Sequence, residues 1–210
     1  EDGNHGGGTD DETHAALFVH FSDGCGDFNP LDITGAEIGS HSTKAFQSIH
    51  QIDLVPTISI LLGLPIPYAN LGGLVPAILP PLLSSGNKKE ENQQYEAPNT
   101  ATALALNAAQ VWTYLTTYSN TANALPSDSL AELEGMLMDA TTKYKAALEL
   151  DKQHYYSNDD DDATTTTTIE DVMVYREACG LFKVFLSEAT ELGKRVWTRF
   201  DTGGMTIGIV

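Results

Sequence analysis

Residues 172–200 read VMVYREACGLFKVFLSEATELGKRVWTRF. Val172, Tyr175, Cys179, Phe182, Leu186, Ala189, Gly193, Val196 and Phe200 recur three and four apart, so they share one helix face and give it something to bury. Two earlier stretches carry the same period. Ala101, Leu104, Ala108, Val111, Leu115 and Tyr118 form one stripe; Leu130, Leu133, Leu137, Ala140, Tyr144 and Ala147 form another. Asn99 or Thr100 is placed to cap the first of these helices, and Ser129 with Glu132 makes a capping-box pattern for the second. Three amphipathic helices with polar connections predict an antiparallel bundle over residues 99–202. One connection, Asp159–Asp162 followed by Thr164–Thr168, is low-complexity sequence with nothing to bury. The third stripe outruns its partners by about ten residues, or about 15 Å at the helical rise. That excess makes it a candidate stalk toward residues 203–210, where the sequence turns apolar.

Upstream of the stripes, residues 84–98 read as a polar linker, and residues 1–83 have a different character. The stretch from Leu54 to Asn87 is uncharged and long enough to raise the question of a membrane span. Pro56, Pro65, Pro67, Pro76, Pro80 and Pro81 interrupt it and break the helix that lipid demands. It reads instead as a buried helix followed by an apolar loop. Asp53 is placed to cap that helix, Pro56 is tolerated in its first turn, and Gly63 ends it after Leu62. Ala15–Phe21 is an apolar run of strand length, consistent with a strand covered on both faces. Residues 1–14 form a glycine-rich loop, and residues 22–50 an irregular connection. Loop, buried strand and helix are the tail of an α/β unit, too small to stand alone. The expected fold class is therefore an α/β remnant followed by an all-α bundle or stalk.

Hydrophobic residues make up 41% of the 210, enough for a core, while the formal net charge is −18 with no cluster of Lys or Arg. A nucleic-acid partner needs a basic stripe to displace phosphate counterions, so that class is excluded, and the same deficit argues against electrostatic docking on anionic lipid. Cys25 and Cys179 are compatible with one disulfide or with two buried thiols. No signal peptide and no initiator Met are visible at Glu1-Asp2-Gly3-Asn4, which fits a chain that begins within a longer protein.

Asn4-His5-Gly6-Gly7-Gly8 carries the chemistry. A His between small loop residues can present an imidazole nitrogen to a metal without hindrance; the bland reading is a His beside flexible glycines. His14 and His20, in or beside the expected strand, read as hydrogen-bonded structural residues. His41, His50 and His154 sit in irregular or solvated contexts with no pairing. Asp10, Asp11 and Glu12 read as a solvated acidic turn, with support of a ligating His as the alternative. Asp159–Asp162 lacks the spacing and closing Glu of a calcium loop. Trp112, Tyr118, Tyr144 and Phe182 fall at helical spacing and read as core.

The His5 loop resembles the end of the metal motif of the alkaline phosphatase superfamily, in which a His at this place ligates zinc. Residues 6–21, Gln51-Ile52-Asp53-Leu54-Val55-Pro56-Thr57, and Leu61-Leu62-Gly63-Leu64-Pro65-Ile66-Pro67-Tyr68-Ala69-Asn70-Leu71-Gly72 are similar to the GPI ethanolamine phosphate transferases, most closely the type that modifies the third mannose. The resemblance is detailed over residues 3–21 and 49–72; across the helices it is one of layout. It implies that residues 1–83 close an alkaline-phosphatase-like catalytic domain, that residues 99–202 form a helical bundle or stalk, and that residues 203–210 begin a transmembrane segment. It also implies two zinc ions and a threonine nucleophile that takes phosphoethanolamine from phosphatidylethanolamine and passes it to a mannose of the GPI glycolipid. His5 is the one metal ligand carried over. The nucleophile and other ligands belong upstream, so no catalytic residue is expected in this chain, and the chain alone should be inactive. The endoplasmic reticulum membrane with this segment in the lumen, and a small membrane-protein subunit that stabilises the enzyme, are implied in the same way. A sister transferase, a metal-dependent phosphodiesterase of the superfamily, and a non-catalytic helical interaction module are the alternatives.

Overall fold

The computed structural model describes Leu17 and residues 49–79, 89–122, 125–157 and 169–197. The chain forms two compact units, Glu1–Pro30 and Leu31–Val210. Of the first, only Leu17 is described; it lies outside regular secondary structure and is exposed. The rest of the expected strand Ala15–Phe21, the His5 loop, Asp10 to Glu12, His14, His20, Cys25, His41, the Asp159–Asp162 run and residues 203–210 lie outside the described residues.

The described residues of the second unit form four α-helices: α1 (Leu54–Leu61), α2 (Lys89–Ala122), α3 (Ser127–Ser157) and α4 (Ile169–Trp197). No strand occurs among the described residues. The stripes read from sequence form the core: Leu104, Ala108, Val111 and Leu115 of α2, Leu133, Ala140 and Ala147 of α3, and Tyr175, Phe182, Leu186 and Ala189 of α4 are all buried. The aromatic residues join them. Trp112 meets Phe185 edge-on at 6.4 Å, and Tyr144 meets Phe182 at 6.1 Å. α4 packs along both other long helices, whereas α2 and α3 scarcely touch each other. Ala97 lies beside Cys179, and Tyr118 beside Trp197, so α2 and α4 run parallel. The pairs Asp151–Tyr175 and Lys143–Glu177 set α3 antiparallel to α4.

Three sequence expectations are corrected. α2 begins at Lys89, ten residues before Asn99, because the polar run through Glu96 contains good helix formers although it has no stripe. Pro98 lies inside this helix, where it removes one intrahelical donor. α3 begins at Ser127, so Ser129 and Glu132 are inside the helix and do not frame its start. Among the described residues α4 does not outrun its partners: the three long helices span 34, 31 and 29 residues there, in order. No helix among the described residues is long and apolar enough to cross a membrane.

Candidate functional site

The resemblance-bearing segment, residues 49–72, and the three residues after it lie against the helices through a connected set of polar contacts. A 3-10 turn at Gln51–Asp53 leads directly into α1. The Asp53 carboxylate does not cap α1, as the sequence suggests. One oxygen accepts the amide of His50 (3.0 Å), closing the 3-10 turn; the other accepts the amide of Gly73 (2.8 Å). One helical turn on, the fully buried Thr57 hydroxyl donates to the Asp53 carbonyl (2.7 Å) and accepts the amide of Val75 (3.0 Å). Side chains four apart on a helix share a face, and alternate residues of an extended chain point the same way. Asp53 and Thr57 thus catch the amides of residues 73 and 75 from one side.

Asn107 of α2 holds the opposite edge. Its Oδ1 accepts the amide of Leu74 (2.7 Å), and its Nδ2 donates to the carbonyl of Gly72 (3.2 Å). A side-chain amide presents one donor and one acceptor, so Asn107 pairs with the extended strap of residues 71–75 as a neighbouring strand would. Gln110, one turn on, donates to the carbonyls of Tyr68 and Asn70, both at 2.8 Å. From α4, the Thr190 hydroxyl reaches the carbonyl of Leu71 (2.7 Å). Asn70 closes its own turn, accepting the Gly72 amide (2.8 Å) and donating to the Ile52 carbonyl (3.2 Å). Gly72 is obligatory: a Cβ there would land on the backbone of Ile52 and 2.8 Å from the amide nitrogen of Asp53. Gly63 takes φ +64° just after the helix, the left-handed conformation that lets it end there as the sequence indicates.

Beside the strap lies an open cleft of about 250 Å³, lined in part by His50, Asp53, Lys183, Ser187, Thr190 and Glu191. Asp53 and Thr190 are committed to the strap's backbone. Glu191 pairs with Lys194 at 2.7 Å, and that hydrogen bond holds its carboxyl below the usual range. His50, which reads as unpaired in the sequence, has Nε2 at 3.4 Å from the Lys194 ammonium. Among the described residues no Ser, Thr or Cys side chain is hydrogen-bonded to a His, so no nucleophile–base pair is assembled there. Cys179 is a free, buried thiol, pushed up to about 11 by burial. Burial, then the hydrogen bond to Asp151 (2.7 Å), raises the Tyr175 phenol well above the usual tyrosine range.

No group of three or more His, Cys, Asp or Glu side chains among the described residues could hold a metal ion. His5, the one ligand expected from the sequence, lies outside them. The described motif residues therefore hold backbone in place.

Comparison with known proteins finds relatives by sequence. Over 150 residues, 71% of the chain, it is 33% identical to GPI ethanolamine phosphate transferase 3, catalytic subunit, from Homo sapiens. Its curated homologues are GPI ethanolamine phosphate transferases. The chain is 42% identical over 74 residues to GPI ethanolamine phosphate transferase 3 of Schizosaccharomyces pombe, covering 35% of the chain and 7% of that relative. It is 36% identical over 72 residues to GPI ethanolamine phosphate transferase 2 of the same yeast, covering 34% of the chain and 9% of the relative. The match spans only 12% of the human transferase's length. No family model matches the chain, and no solved structure matches it with significance.

Sequence reasoning missed Asn107, Gln110 and Thr190 as partners of the motif segment. The available signal was Asn107 itself, a polar residue set between Leu104, Ala108 and Val111 in an otherwise apolar stripe. A buried amide at such a position requires partners.

Proposed function

We propose that this chain is a segment of a transferase that moves phosphoethanolamine from phosphatidylethanolamine to the third mannose of the GPI anchor precursor. The observation that carries the reading is the match to the human type 3 transferase over 71% of the chain at 33% identity. Residues 1–83 close the catalytic domain, and residues 99–202 carry the chain toward a membrane domain that starts at about residue 203. His5 is the residue of this chain that would hold zinc. Paired zinc ions at such a centre supply charge stabilisation to the attacking and leaving oxygens of an in-line displacement. The contribution of the described residues is mechanical. Asp53, Thr57, Asn107, Gln110 and Thr190 fasten the motif segment to the helices. The nucleophile and remaining ligands lie upstream, and the segment works in the lumen of the endoplasmic reticulum. The words "catalytic subunit" in the human relative's name are consistent with a further subunit, which we propose is a small stabilising membrane protein.

The type 2 relatives favour a second reading, in which the acceptor is a different mannose. Expressing the full-length protein in cells that lack third-mannose phosphoethanolamine addition separates the two. Restoration of the third-mannose modification in the GPI lipid intermediates supports the first reading. A lipid profile restored only at another mannose supports the second, and no restoration of either removes both.

A further inference from the structure

α1 is amphipathic with its faces exchanged. The sequence LVPTISIL predicts a buried apolar helix, yet the buried residues are Pro56, Thr57 and Ser59, Leu54 and Ile60 are half-buried, and Val55, Ile58 and Leu61 point out. Val55, Ile58 and Leu61 are exposed on the helix, flanked by Ile52 before it and by Leu62 and Leu64 after it, with Leu62 64% and Leu64 56% exposed. The inversion has a clear cause. The inward face is where Asp53 and Thr57 catch the strap's amides, so polar groups must occupy it.

We infer that the outward face of α1 is an internal interface, covered in the intact polypeptide by a part of the catalytic domain that lies outside this chain; this inference rests on the reading of the chain as a segment of a longer transferase. Length supports it: the match spans only 12% of the human relative, so most of such a polypeptide remains to pack against this unit. The character of the helix opposes the main alternative, a lipid surface. A helix lying in a membrane interface keeps a cationic, solvated face opposite its apolar one. α1 contains no Lys or Arg, and its other face is fastened to the strap. An eight-residue helix fixed by polar contacts on one side and apolar on the other is a layer between two bodies of protein.

The test uses the full-length transferase with the photo-crosslinking residue p-benzoylphenylalanine placed singly at Leu62 or Leu64, and at exposed Glu134 of α3 as a control. A melting temperature matching that of the unsubstituted protein certifies that each variant folds. Position 64 lies beyond the helix and serves if replacement at 62 disturbs it. The expected result is a crosslink at 62 or 64, mapped by mass spectrometry to residues of the same polypeptide outside this 210-residue chain, at several times the yield seen at 134. Crosslinks to lipid, to a second copy or to another protein would overturn the inference, as would yields no higher than the control. Failure of the functional reading is separable: a full-length protein without transferase activity can still show the internal crosslink, and an active one can lack it.

Discussion

Replacing Asn107 with Leu is the sharpest perturbation of the strap. Leu keeps similar bulk and suits the stripe of α2, but it can neither accept from Leu74 nor donate to Gly72. Asn107, Gly72 and Leu74 are all buried, so water cannot take over those bonds. A buried polar group left unpaired costs about 1–3 kcal/mol. The Leu74 amide, bonded at 2.7 Å, should bear most of that; the Gly72 carbonyl, bonded at 3.2 Å, less. The expected loss is about 3 kcal/mol in all. For a unit of this size each kcal/mol moves the midpoint by about 2–4 °C, so thermal unfolding of Asn107→Leu should begin about 6–12 °C lower. Asn107→Asp should be at least as damaging, because it sets a buried carboxylate oxygen against the Gly72 carbonyl. Denaturant unfolding followed by circular dichroism reads both. A change under about 0.5 kcal/mol for Asn107→Leu, the level of an ordinary surface substitution, would refute the reasoning.

Gly72→Ala should be more severe, because its Cβ meets backbone that cannot swing aside; loss of soluble folded protein is expected, and a wild-type melting curve would contradict the close approach. Thr57→Val removes only the hydroxyl and strands the Val75 amide, for an expected loss of about 1–3 kcal/mol by chemical denaturation. The Cys179 thiol should resist alkylation at pH 8 while the chain is folded and react quickly once it is unfolded. Linkage fixes the sign of its pH effect. Its folded value of about 11 lies above the ordinary 9.0, so the unfolded state releases its proton first and stability falls between about pH 9 and pH 11. Cys179→Ala should flatten that part of the stability–pH curve; an unchanged slope would assign the alkaline loss to other groups such as Tyr175.

The helical stripes were legible because burial repeats with the helix: Leu104, Val111 and Leu115, or Phe182, Leu186 and Ala189, are buried as their spacing dictates. Helix starts were not. Residues 89–96 have helix-forming composition without an apolar period, and Pro98 reads as a boundary although the helix runs through it. The exchange of faces on α1 was hidden because its composition is uniformly apolar apart from Thr57 and Ser59. Only the long-range partners of the strap reveal which side is inward. Asp53 illustrates the same limit. A local rule makes it a cap, but a contact twenty residues away takes one of its oxygens. The partners Asn107, Gln110 and Thr190 are 33 to 119 residues from the backbone they bind, a separation no local pattern encodes.

Of the family-like residues, we propose that His5 serves chemistry and Thr57 holds the fold. Turnover per folded molecule of the full-length transferase, measured for His5→Ala and Thr57→Val with melting temperature and bound zinc on the same samples, tests it most directly. The account predicts that His5→Ala loses zinc and turnover at nearly unchanged melting temperature, while Thr57→Val melts lower and keeps its turnover per folded molecule. Turnover abolished by Thr57→Val at full stability, or zinc and turnover retained by His5→Ala, would contradict it.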